Sequence, residues 1–108
     1  MRPQRERLDP DLLDDEDPFE IDFGNHPHLV KHGYSLDDLY DVWLSDPLVY
    51  PAADGGEADW LLVARVPGDV LCVPIAPASS EDHQKCRPIG LYRASVKLAT
   101  MYEQDVDP

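Results

Sequence analysis

No stretch of this chain approaches the ~18 consecutive apolar residues that a membrane-spanning helix requires. The N-terminus, "MRPQRERLDPDLLDDEDP", also lacks the apolar core of a secretory signal. These two absences point to a cytoplasmic protein with no membrane association. Cysteine is scarce: Cys72 and Cys86 are the only two, and in that compartment both are expected as thiols. There are no internal repeats. The chain has 108 residues, enough for one small domain, and its 43% hydrophobic content allows a modest core.

Basic residues are scarce too. Nine Lys and Arg face 22 Asp and Glu, for a formal net charge of -13. The imbalance is uneven along the chain. Residues 1–20 carry eight acids and three arginines, and residues 21–60 carry eight acids and Lys31 alone. Residues 61–100 carry five bases (Arg65, Lys85, Arg87, Arg93, Lys97) against three acids. An acidic front half thus precedes a mildly basic back half, and the net charge describes neither.

Residues 1–17 are rich in charge and turn-formers and poor in large apolar groups, so the composition predicts a flexible acidic tail in which Leu12 and Leu13 dock only transiently. "PFEIDF" (18–23) alternates Phe19, Ile21 and Phe23 with two acids, which predicts a half-buried strand. Pro27 and Gly33 bracket a short helix. Ser35 then caps a second helix, with Asp38 three residues on and Leu36, Leu39, Tyr40 and Trp43 on one face. Pro47 ends it. "PLVYPAA" predicts a short edge strand. Trp60–Val66 and Val70–Ile75 predict a hairpin around Pro67-Gly68-Asp69. "ASSEDHQ" predicts a polar loop, "CRPIGLY" a last strand, and "ASVKLATMYEQ" a closing helix with Ala94, Leu98, Met101 and Tyr102 aligned. The expected class is α+β, a mainly antiparallel sheet covered on one face, with one domain over residues 18–104 and a short C-terminal tail over 105–108.

Several of these pieces, in this order, resemble the BrnT toxins of bacterial type II toxin–antitoxin systems. They are "FEID" (19–22), "LVKHGYSLDDLYDVW" (29–43), "DPLVYP" (46–51), "WLLVARVPGDVLCVPIAP" (60–77) and "CRPIGLYRASVKLATMYEQ" (86–104). The resemblance covers roughly residues 19–104. It implies a RelE-like fold, metal-independent ribonuclease activity without a cofactor, an RNA substrate and a cognate antitoxin as partner. The chain departs from the family at Gly90-Leu91-Tyr92, where the family carries Ser-Ala-Arg, with Arg93 one place later. His28 replaces a common Asn, and the last helix keeps only Lys97 of a basic set. These departures fall on phosphate-gripping positions, which leaves two readings open: a ribonuclease toxin, or a non-catalytic subunit that keeps the fold to bind a protein.

RNA cleavage without a metal needs a base for the 2′-hydroxyl, cations for the charged phosphorane and an acid for the leaving oxygen. His32 is the side chain type that moves protons near neutral pH. Lys31, Arg65, Arg87 and Arg93 are the candidate cations, and Tyr92 or Tyr102 a proton donor or stacking surface. Each candidate has a plainer reading. His32 at a helix end can bond a carbonyl. Arg65, in an apolar run that puts Trp60, Leu62 and Ala64 on one face and Leu61, Val63 and Arg65 on the other, can be a snorkelling strand end. Histidines 26, 28 and 32, or His83 with Cys86, invite a metal reading, but Pro27 interrupts the first set and neither has structural-zinc spacing. No metal site is expected.

Overall fold

The alternation in Trp60–Val66 places apolar side chains on both sides of one strand, so that strand needs cover on both sides. A computed structural model of the chain describes residues 7–80 and 82–107, and the molecule is built around this requirement. β2 (Trp60–Val66) and β3 (Asp69–Pro77) form an antiparallel hairpin, with Trp60 opposite Ile75 and Val66 opposite Asp69. Gly68, at φ 96°, takes the left-handed turn position between them. β1 (Leu48–Pro51) pairs with β2 at the edge of the sheet, as its prolines predict. β4 (Cys86–Pro88) and β5 (Tyr92–Arg93) both pair antiparallel with β3, so the expected single last strand is two short ones with a break between.

Among the described residues three α-helices, with a 3-10 turn over Pro10–Leu12 in the N-terminal segment, complete the α+β architecture. α1 (His26–Val30) ends before Gly33, whose φ of 92° suits only glycine well. α1 stops two residues short of His32, so His28 and His32 do not share a helical face. α2 (Leu36–Leu44) starts with a complete capping box: the Ser35 hydroxyl accepts from the Asp38 N–H, and the Asp38 carboxylate accepts from the Ser35 N–H. Its Leu39 and Val42 are fully buried, with Leu36, Tyr40 and Trp43 half-buried beside them. α3 (Val96–Val106) is capped by Ser95 and takes in Asp105 and Val106 of the expected C-terminal tail, with Asp107 as its C-cap; Pro108 lies outside the described residues.

Cover on one face only, the sequence expectation, is not what the chain does. Leu62, Ala64, Leu71, Val73 and Ile75 meet α2 on one side, while Val63, Val70 and Cys72 meet Ala94, Leu98, Ala99 and Tyr102 on the other. The expected strand over 18–23 is also absent. Phe19 makes a single parallel bridge to Cys86, Ile21 is half-buried and Phe23 is wholly exposed. The chain turns away after Glu20 because Asn25, buried at 3% exposure, folds it into a loop. Its side-chain oxygen accepts from the Asp22 N–H, and its amide nitrogen donates to the Glu20 and Pro88 carbonyls.

The larger correction concerns the acidic N-terminus. Residues 1–6 lie outside the described residues, but residues 7–17 are packed as a strap rather than a tail. Leu8 and Leu13 are buried at 7% exposure each, and Leu12 stays exposed. Trp60 donates its indole N–H to the Leu8 carbonyl (2.7 Å), and Trp43 donates to the Asp15 carbonyl (2.8 Å). The Arg7 guanidinium lies 4.5 Å from the Trp60 ring centre, and the Leu8 N–H donates to the buried Asp59 carboxylate. Composition alone misjudged this segment because two well-spaced leucines and two remote indoles suffice to anchor it.

Two substitutions test this packing. Leu13→Ala should lower stability by about 2–4 kcal/mol in urea unfolding, as for a buried leucine; an unchanged midpoint would restore the flexible tail. Trp43→Ala should cost about 2–3 kcal/mol, below the ~3–5 of a fully buried ring, because the ring is only partly buried and the Asp15 carbonyl loses only one bond. No change in melting temperature would show that α2 does not depend on Trp43.

Candidate functional site

The six candidate residues fall into two groups. Tyr92 and Arg93 are the two residues of β5, opposite Cys72 and Leu71. The His32 ring meets the Tyr92 ring edge-on at 6.0 Å between centres. Among the described residues His32 makes no hydrogen bond to a carbonyl, so the helix-end alternative is not the geometry found. Lys31, the C-cap of α1, is exposed beside it. Arg65 and Arg93 line the same shallow groove of about 300 Å³ at the Gly68 end of the sheet, between the hairpin turn and α3. Five of the six thus gather toward one end of the sheet. Arg87 does not: it pairs across from Ala76 on β4 and is bound to the N-terminal segment.

All three arginines face carboxylates that no local spacing revealed. Arg65 donates to Glu103 at 2.5 Å, with both side chains 55% exposed. Arg93 donates to Asp69 at 2.6 Å with 71% of its side chain exposed, and the Tyr34 hydroxyl donates to the same carboxylate at 3.3 Å. Water and salt screen pairs this open, so an incoming anion can exchange with either carboxylate. Arg87 is held differently. Its two guanidinium nitrogens donate to both oxygens of Asp22 (2.8 and 3.0 Å), and one also donates to Glu20 (3.1 Å), with Arg87 and Glu20 only 24% and 17% exposed. This forked, sheltered contact is an anchor for the loop that carries α1.

The two acids that hold Arg87 carry the mark of this contact. Burial works against ionisation of Glu20, but bonds from the Ser79 hydroxyl, the Ser79 and Ser80 N–H groups and Arg87 outweigh it and hold the carboxyl down to about 2. Arg87 first, then the Asn25 and Gly24 N–H groups, overcome a desolvation penalty and lower Asp22 to about 2. Burial raises Tyr92 to about 12, reinforced by the Cys72 sulfur close to its hydroxyl. Tyr92 therefore stays a neutral phenol, with that hydroxyl turned to the interior. Both cysteines are free and buried, and burial raises Cys72 to about 11 and Cys86 to about 12, which makes them poor nucleophiles.

Among the described residues no three His, Cys, Asp or Glu side chains are arranged to hold a metal ion, and no helix is long and apolar enough to cross a membrane. Sequence reasoning missed Asp69, Glu103 and Tyr34, the groups that set the charge of the two exposed arginines. Glu103 lies 38 positions from Arg65, beyond any helix or hairpin periodicity. Asp69 read only as a turn residue. No family model, curated protein or solved structure matches this chain.

The lowered acids give a pH test with a defined sign. A carboxyl depressed in the folded state adds stability that is complete above its ordinary value and disappears as pH falls through the folded one. For Glu20 that window runs from 4.5 down to about 2, and for Asp22 from 3.8 down to about 2. Arg87→Gln should lower stability at neutral pH and flatten the decline below pH 4.5, read as urea midpoints across the window. Parallel curves for variant and wild type would remove Arg87 as the anchor.

Proposed function

We propose that this chain is a BrnT-like ribonuclease toxin of RelE-like fold, acting in the cytoplasm and silenced by a cognate antitoxin. The observation that supports this reading most is the placement of His32 against Tyr92, next to Arg93 and the groove that Arg93 shares with Arg65. In this reading His32 removes the proton from a 2′-hydroxyl, whose oxygen attacks the adjacent phosphorus. The phosphorus–5′-oxygen bond breaks, leaving a 2′,3′-cyclic phosphate; water protonates the departing 5′-oxygen, and the hydroxide so formed takes the proton back from the His32 imidazolium. Arg65 and Arg93 exchange Glu103 and Asp69 for the phosphate oxygens, and Lys31 adds positive charge. Tyr92 orients the imidazole through ring contact instead of donating a proton, because its hydroxyl faces Cys72. Arg87 serves the fold.

The overall charge of -13 is compatible with this chemistry, because an RNA strand responds mainly to charges within about a Debye length, ~8–10 Å. A second reading, the non-catalytic binding subunit, draws on a specific observation: each candidate arginine already carries a carboxylate. Induced expression in a bacterial host separates the two. The toxin reading expects growth arrest and RNA decay, with His32→Ala lowering cleavage by about 10²–10⁴-fold and Arg65→Ala abolishing toxicity, both without a change in melting temperature. A harmless wild type with intact RNA establishes the binding subunit instead.

A further inference from the structure

A second groove, of about 360 Å³, lies outside that cluster, where the N-terminal strap passes the junction of α2 and β1. Its apolar wall is Leu44, Pro47, Val49 and the half-buried Trp43. Leu44 is 73% and Val49 41% exposed, so this wall presents apolar surface to water. Its rim is Asp11, Asp15 and Asp46. Among the described residues none of these three carboxylates takes part in a side-chain ion pair, whereas Asp17, Asp22, Asp69 and Glu103 all do. Asp46 stands at the junction with φ 55°, a left-handed conformation that, glycine aside, Asn and Asp adopt most readily. Among the described residues no strand pairs with the outer side of β1, which contributes Val49.

We infer that this groove docks a short extended segment of a partner protein, carrying a bulky apolar side chain flanked by lysine or arginine. The apolar wall accepts the side chain, the three carboxylates accept the cations, and the open side of β1 gives the segment a backbone to lie along. Charge selects among the alternatives. Nucleic acid is repelled by a rim of one negative sign, and a second copy of a chain with net charge -13 is repelled as well. The inference does not depend on ribonuclease activity, since it concerns a different face of the molecule.

The probe is a labelled ten-residue peptide of alternating lysine and leucine, titrated into the full-length protein by fluorescence anisotropy, with a glutamate–leucine peptide as its counterpart. Two triple variants carry the same change in net charge: D11N/D15N/D46N at the groove, and D54N/D82N/D107N at exposed acids that do not line it. Binding of the lysine peptide alone is expected, weakened about tenfold by the groove triple and little by the distant one. Leu44→Ser with Val49→Ser, both at exposed positions, should weaken it comparably while melting temperature holds. Added salt should reduce the affinity of wild type more than that of the groove triple. Equal weakening by the two triples would reduce the effect to general attraction and overturn the inference. So would undiminished binding to the Leu44/Val49 double variant, or no binding to wild type.

Discussion

Everything in this molecule answers to one constraint: its central hairpin is apolar on both faces. A hairpin alone is at best marginally stable in water, and one with a single apolar face needs only one covering layer. Here Leu62, Leu71, Val73 and Ile75 point one way and Val63, Val70 and Cys72 the other. In a chain of 108 residues the cover must come from nearly every other segment. α2 and the N-terminal strap close one side, α3 closes the other, and β1, β4 and β5 flank the hairpin in its own plane. The acidic surface is what remains facing water once those apolar stripes are spent.

The position of the candidate site follows from that arrangement. Because α3 must lie on the face that bears Arg65, Glu103 comes within reach of that guanidinium. Because β5 pairs with the beginning of β3, Arg93 reaches Asp69, and Tyr92 presents its ring to His32. The site is therefore a by-product of where the covering elements end. Its arginines are balanced by carboxylates on the covering elements, which explains how an acidic protein keeps Arg65 and Arg93 close to His32 and Tyr92 without a broadly basic surface.

Local chemistry was legible in the sequence, and remote partnership was not. The capping box at Ser35, the glycine stops at Gly33 and Gly68, the edge position of β1 and the alternation along β2 each rest on neighbours in the chain, and each appears as read. The strap, the Asn25 loop and the Arg87 anchor rest on partners more than fifty residues distant: Leu8 with Trp60, Asn25 with Pro88, Arg87 with Asp22. No periodicity encodes such pairs. The candidate site divides along the same line. His32, Arg65 and Tyr92 stand out by type and context, but the contact of His32 with Tyr92 and the pairing of Arg65 with Glu103 exist only when the sheet is assembled. The strand expected at 18–23 failed for a related reason, since alternation alone cannot say whether a neighbouring strand is available to continue the ladder.

The borders of the sheet carry a consequence for the behaviour of many copies together. An apolar hairpin is the segment most prone to recruit other chains into fibrils, and exposed strand edges are where recruitment begins. β1 offers only Leu48–Pro51, just after Pro47 and closed by Pro51, and neither proline has an N–H to donate. The opposite border is split between β4 and β5 at different registers along β3. Neither side presents a long, straight row of unpaired backbone groups, so stacking of one molecule on another is cut short after a few residues. The most aggregation-prone sequence in the chain is thereby sequestered behind borders that cannot template growth.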